Sequence, residues 1–119
     1  WSPIAGGLLS GKYRAGQPRP AGTRFFDTSA SPINTARWTE NSLAAVEKLI
    51  PLAEARHVPL SQFALAWVLR EPNVASAIVG ASRPEQLDDN VAASGLLIDP
   101  ELFRQAEAVV AGLSDPPPR

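Results

Sequence analysis

The chain has 119 residues, 45% of them hydrophobic and 19% charged, with eleven Lys/Arg against twelve Asp/Glu and a formal net charge of −1. Its basic residues are scattered, which leaves no electrostatic footprint for nucleic acid or an anionic membrane. The absence of cysteine excludes disulfides, thiolate metal sites and cysteine nucleophiles. No apolar stretch approaches the roughly 20 residues of a membrane span, so a soluble, cytoplasmic chain of one domain's length is expected. Methionine is absent even at position 1, and Trp1-Ser2-Pro3-Ile4 has neither a basic region nor an apolar signal core, so the chain reads as an interior segment.

Residues 1–13, WSPIAGGLLSGKY, are apolar and punctuated by Gly6, Gly7 and Gly11, and they read as a strand end entering a loop or short turn. Residues 14–35 carry Gly16, Pro18, Pro20, Gly22 and Pro32 with no regular period, which predicts a long irregular loop of the functional or mobile kind. From Thr39 the apolar residues Leu43, Val46, Leu49, Ile50 and Ala53 recur at helical spacing, predicting a helix over 39–56. Pro51 lies inside it and removes a backbone donor, so a kink or break between Glu47 and Pro51 is expected. Pro59 opens a second helix, in which Phe63, Ala64, Trp67 and Val68 share a face and which must end before Pro72.

Residues 74–79, VASAIV, form a short apolar run rich in β-branched residues and bounded by Asn73 and Gly80, and they read as a buried parallel strand. Ser82-Arg83-Pro84-Glu85 then fits a capping box, with Ser82 as the cap and Glu85 reaching back. That helix is expected to run to Ser94 and stop at Gly95. Asp99-Pro100 opens a last amphipathic helix, with Leu102, Phe103, Ala106, Val109 and Val110 inward. Residues 116–119 are expected to be a disordered tail and residues 1–115 one partial domain.

Strands alternating with helices define an α/β class with a parallel sheet covered by helices. Two strands alone cannot close a barrel, because eight strands take roughly 250 residues. The fold is therefore expected to be incomplete on its own.

Chemistry concentrates at two places. After the run 74–79, a helix N-terminus offers unpaired N–H groups, Gly80 permits close approach, and Arg83 places a positive charge where it opposes the helix dipole; an anionic ligand would account for it. Gln86 and Asn90 lie four apart on one face and can bind a base or a ribose. The same residues also fit an ordinary solvated helix start, and the residues alone leave both readings open. At the N-terminal end, glycines followed by Lys12 suit a pyrophosphate. The order is neither a Walker A loop, since Lys12 is followed by Tyr13, nor a G-x-G-x-x-G fingerprint.

The segments WSPIAGGLLSGKY, FALAWVL and AIVGASRPEQLDDNVAA, in this order and at these separations, resemble the C-terminal part of an aldo-keto reductase. The resemblance implies the last two strands, with their helices, of a (β/α)8 TIM barrel that binds NADP(H) and passes hydride to a small-molecule carbonyl substrate. By position it implies that Trp1 stacks on the nicotinamide, that Ser2, Pro3, Ile4 and Leu8 line the pyrophosphate stretch, and that Lys12 and Arg24 lie over the diphosphate. It further implies Gly80, Ser82 and Arg83 at the 2′-phosphate and Gln86, Asp89 and Asn90 at the adenosine. An arginine beside a serine there favours NADPH over NADH.

The family's catalytic tyrosine, lysine, aspartate and histidine lie on earlier strands, and no position in this chain matches them. Tyr13 is the only tyrosine and His57 the only histidine; Tyr13 is expected to pack on its loop and His57 to sit at a helix C-terminus, while Trp38 and Trp67 read as packing residues and Asp88 as part of a solvated face. The same segments are also similar to the potassium-channel β subunits, a branch that binds NADPH and serves mainly as a regulatory partner.

Overall fold

A computed structural model describes residues 2–26 and 32–113. Trp1 and the tail 116–119 lie outside the described residues. The order is a 3-10 segment, Ala5–Ser10, followed by five α-helices: α1 (Pro32–Arg37), α2 (Glu40–Glu54), α3 (Leu60–Leu69), α4 (Pro84–Val91) and α5 (Pro100–Val110).

Helix α2 is the hub, packing on α3, α5 and the 3-10 segment. It starts where Thr39 takes an extended conformation and its hydroxyl accepts the Ser42 N–H at 3.1 Å, so one otherwise orphaned donor is satisfied. Leu43, Val46, Leu49 and Ala53 point into the core, as the spacing predicts. The expected break at Pro51 does not occur, and the helix runs through it to Glu54. Pro51 removes only the donor to the Glu47 carbonyl, and both residues are exposed, where water can serve that carbonyl. The helix ends in a Schellman arrangement: His57 adopts φ +57°, its N–H reaches the Glu54 carbonyl at 2.8 Å, and the Val58 N–H reaches the Ala53 carbonyl at 3.2 Å.

Helix α3 begins after Pro59 and buries the consecutive residues Phe63, Ala64, Leu65 and Ala66. Burial on successive residues means that more than one face is covered, and α2, α4 and the 3-10 segment all pack against it. In α5 the Asp99 carboxylate accepts the Glu101 N–H at 2.9 Å. Phe103 meets Phe63 edge to face at 5.3 Å between ring centres, and Val110, expected inward, lies at the surface. Arg56 ties the end of α2 to the approach to α5 through the Leu97 carbonyl, 3.0 Å away.

The sequence-based reading is corrected in three places. Residues 14–35 are not irregular throughout, because α1 begins at Pro32. No strand is present among the described residues, at the N-terminal segment or at 74–79. Residues 74–81 run without a turn or bend, yet Ile78 is 82% exposed. The reason is physical: β-branched residues favour an extended backbone, but a strand exists only through ladder bonds to a neighbour, and the described residues supply none. The helix after them is also shorter than expected, ending at Val91 instead of near Ser94, with Gly95 at φ +73° past the last turn.

Candidate functional site

The first cluster is built by the glycine-rich turn. Ser2, Ala5, Gly6 and Gly7 all have positive φ (58°, 50°, 70° and 104°), and Gly11 at 78° closes the 3-10 segment. Backbone bonds from the Ala5 N–H to the Ser2 carbonyl (2.8 Å) and from the Gly7 N–H to the Ile4 carbonyl (2.9 Å) tie the turn together. At Gly6 a side chain is doubly excluded, because φ is left-handed and a Cβ would overlap the Asn34 amide.

Buried Leu8 and Tyr13 anchor the segment from beneath. Tyr13, the sole tyrosine, stacks edge-on against Phe25 and Trp38 at 5.1 and 5.2 Å, so it is a packing residue. Ser2, Pro3 and Ile4 are half-buried. Ser2 and Pro3 also line an apolar pocket of about 300 Å³ with Leu9, Phe63 and Trp67. Lys12 is exposed, with Nζ 5.2 Å above the Tyr13 ring, and Arg24 is exposed beside buried Phe25.

The second cluster surrounds the start of α4. Ser82 is not its N-cap: Arg83 holds that position with φ −142° and ψ 147° and makes no side-chain cap bond. Pro84, pre-set for the first helical position, places the start one residue later than the capping-box reading requires. The residue that reaches back is therefore Gln86, three positions after the cap, and not Glu85. Gln86 Oε1 accepts the Ser82 N–H at 2.8 Å and lies 3.2 Å from the Ser82 hydroxyl. Asn90 is half-buried beside a pocket of about 260 Å³ lined by Val79, Leu87 and Val91, while Arg83 and Asp89 are exposed. A Cβ on Gly80 would meet nothing within 4 Å, so the space in front of this glycine is open.

Each cluster assembles locally, and both the 3-10 segment and α4 pack on α3. The pocket beside the first contains no residue of 80–90, and the pocket beside the second contains none of 2–12. Residues missed from the sequence come from α1, which was hidden inside a stretch read as loop. Arg37 Nη1 donates to Ser2 Oγ at 3.0 Å, and buried Asn34, one turn earlier, lies against Gly6. The remaining signal was their i, i+3 spacing after Pro32. Ser10 was also missed; its Oγ is buried without a hydrogen-bond partner among the described residues.

The donor set fits a phosphate-bearing cofactor. Lys12, Arg24 and Arg83 form no ion pair with a carboxylate among the described residues, and such charges suit an anionic ligand. Among the described residues no cluster of three or more His, Asp or Glu could hold a metal, and no helix is long and apolar enough to cross a membrane.

A model described as the Aldo/keto reductase family matches residues 1–111. The chain belongs to that family. It is 38% identical over 112 residues to a protein of Oryza sativa subsp. japonica named as a probable voltage-gated potassium channel subunit beta, covering 92% of this chain and 34% of that protein. A similarly named Arabidopsis thaliana protein is 35% identical over the same shares. An L-glyceraldehyde 3-phosphate reductase of Escherichia coli O157:H7 is 34% identical over 112 residues, covering 93% of this chain and 32% of that protein. The chain thus spans about a third of the length of the curated relatives it matches.

Proposed function

We propose that the chain is the C-terminal, NADP(H)-binding portion of an aldo/keto reductase barrel, corresponding to about its last two strands with their helices. In the complete domain the bound nicotinamide supplies hydride to an aldehyde or ketone, in a cytoplasmic setting. The observation that carries the reading is Arg83: a guanidinium at the start of a helix opposes the helix dipole, and it makes no ion pair among the described residues, not even with Glu85 in the same first turn.

In this reading Arg83 pairs with the 2′-phosphate, helped by Gly80 and Ser82, while Gln86, Asp89 and Asn90 hold the adenosine. Lys12 and Arg24 neutralise the diphosphate. Ser2, Pro3, Ile4 and Leu8 line the pyrophosphate stretch, with Trp1 on the nicotinamide ring.

The test is titration of NADPH and NADH into the chain, followed by nicotinamide fluorescence. Arg83→Ala should weaken NADPH about tenfold or more, the loss expected when one charge-assisted phosphate contact goes, and should barely affect NADH. Equal losses for the two would overturn the 2′-phosphate assignment.

The channel-subunit names of the rice and Arabidopsis relatives favour a second reading, an NADPH-binding regulatory subunit that docks on a channel. The rest of the domain separates the two. A complete domain that binds NADPH but leaves aldehydes and ketones unreduced would support the regulatory role, and turnover would support the enzyme.

A further inference from the structure

Helix α1 touches the glycine-rich turn at two points of left-handed backbone. Its Asn34 side chain lies against Gly6, and its Arg37 guanidinium donates to the Ser2 hydroxyl at 3.0 Å across 35 residues of sequence. Ser2 is a non-glycine residue at φ +58°, a conformation that persists only where surrounding contacts over-determine it. Here those contacts are the Ala5 N–H on its carbonyl, at 2.8 Å, and Arg37 on its hydroxyl.

A serine hydroxyl has one proton to give and lone pairs to receive one. An arginine never accepts, so the bond from Arg37 occupies a lone pair and leaves the Ser2 proton to be donated elsewhere. We propose that Arg37 is a positioning residue that fixes the Ser2 hydroxyl as a hydrogen-bond donor toward an acceptor oxygen of the cofactor's nicotinamide half, a carboxamide or phosphate oxygen. The proposal rests on the NADP(H) reading above. It makes Arg37 act through Ser2, on one half of the ligand only.

The experiment measures binding of NADPH, nicotinamide mononucleotide and 2′,5′-ADP to the 119-residue chain by calorimetry, with thermal melts of every variant. Arg37→Ala is expected to weaken NADPH and the mononucleotide by about tenfold and to leave 2′,5′-ADP unchanged, whereas Arg83→Ala shows the opposite split. Arg37→Lys, which keeps a donor and the charge, should recover part of the loss. Ser2→Ala should cost the same factor, and adding Arg37→Ala to it should cost nothing more. Additive losses would overturn the proposal, because Arg37 would then act independently of Ser2. So would an equal loss for all three ligands, the mark of a merely structural role, or unchanged NADPH binding by Arg37→Ala. If neither the unaltered chain nor a complete domain containing it binds any of the three, the cofactor reading falls and takes this step with it.

Discussion

The glycine-rich turn and the segment 74–97 are the two halves of the candidate site, and they are in opposite physical states. The turn is enclosed: Leu8 and Tyr13 are buried, and α1, α2 and α3 all pack on it. The segment 74–97 leaves Ile78, Leu87, Val91 and Leu97 between 53% and 82% exposed. The difference lies in where each half finds its partners. The turn needs only helices encoded within the next seventy residues, whereas an apolar extended run needs strands on either side. One half of the candidate site is set by local sequence, while the other leaves its apolar residues without a partner among the described residues.

That contrast can be broken most forcefully by truncating a side chain in each half. Phe25→Ala, beneath the turn, should lower unfolding free energy by about 3–5 kcal/mol in urea melts. Ile78→Ala should change it by less than about 0.5 kcal/mol, as at an ordinary surface position. Comparable losses would mean that the segment 74–81 is packed after all. Next in size, Gly6→Ala should cost about 2 kcal/mol or more, from left-handed strain and the overlap with Asn34; an unchanged melt would show that α1 does not clamp the turn.

His57→Gly should raise stability by about 0.5–1 kcal/mol, because the residue occupies a left-handed C-cap where glycine carries no Cβ penalty. A destabilised variant would mean that the imidazole makes a contact worth more than the strain. The smallest effect is at Glu101. Hydrogen bonds from Gln105 and then Arg104 hold its carboxyl below the ordinary glutamate value. Because the folded-state value is the depressed one, the stabilisation is present above the unfolded pKa and is lost as pH falls through the folded one. Carbon-13 NMR should place its titration midpoint below that of a free glutamate, and Gln105→Ala should move it upward.

Much of the helical fold was legible because its signals are local. Thr39 and Asp99 cap where they stand, the spacing of Leu43, Val46 and Leu49 gives the inner face of α2, and Pro72 limits α3. Three features were not. The run 74–79 predicts a buried strand and is neither buried nor paired among the described residues, because strandedness belongs to a pair of segments, and no local pattern reports whether the partner is there. The start of α4 slipped by one residue because a serine in the right place outweighed the proline that sets the helix register. Helix α1 was concealed by a stretch whose glycines and prolines dominate its composition, and with it went Arg37 and Asn34, residues whose relevance depends on meeting a turn thirty positions away. The division of the candidate site residues into two groups follows from their order in the chain; that the 3-10 segment and α4 both pack on α3 does not.

The bond between Ser82 and Gln86 has a consequence for what the α4 cluster could distinguish. With Oε1 committed to the Ser82 N–H and hydroxyl, the Gln86 amide turns only its NH2 group outward, and a side chain so oriented can give hydrogen bonds but not take them. A base docking there must offer a bare ring nitrogen or a carbonyl and gains nothing from an exocyclic amine. The residue that secures the helix start thereby also fixes the hydrogen-bonding polarity that its own side chain offers there.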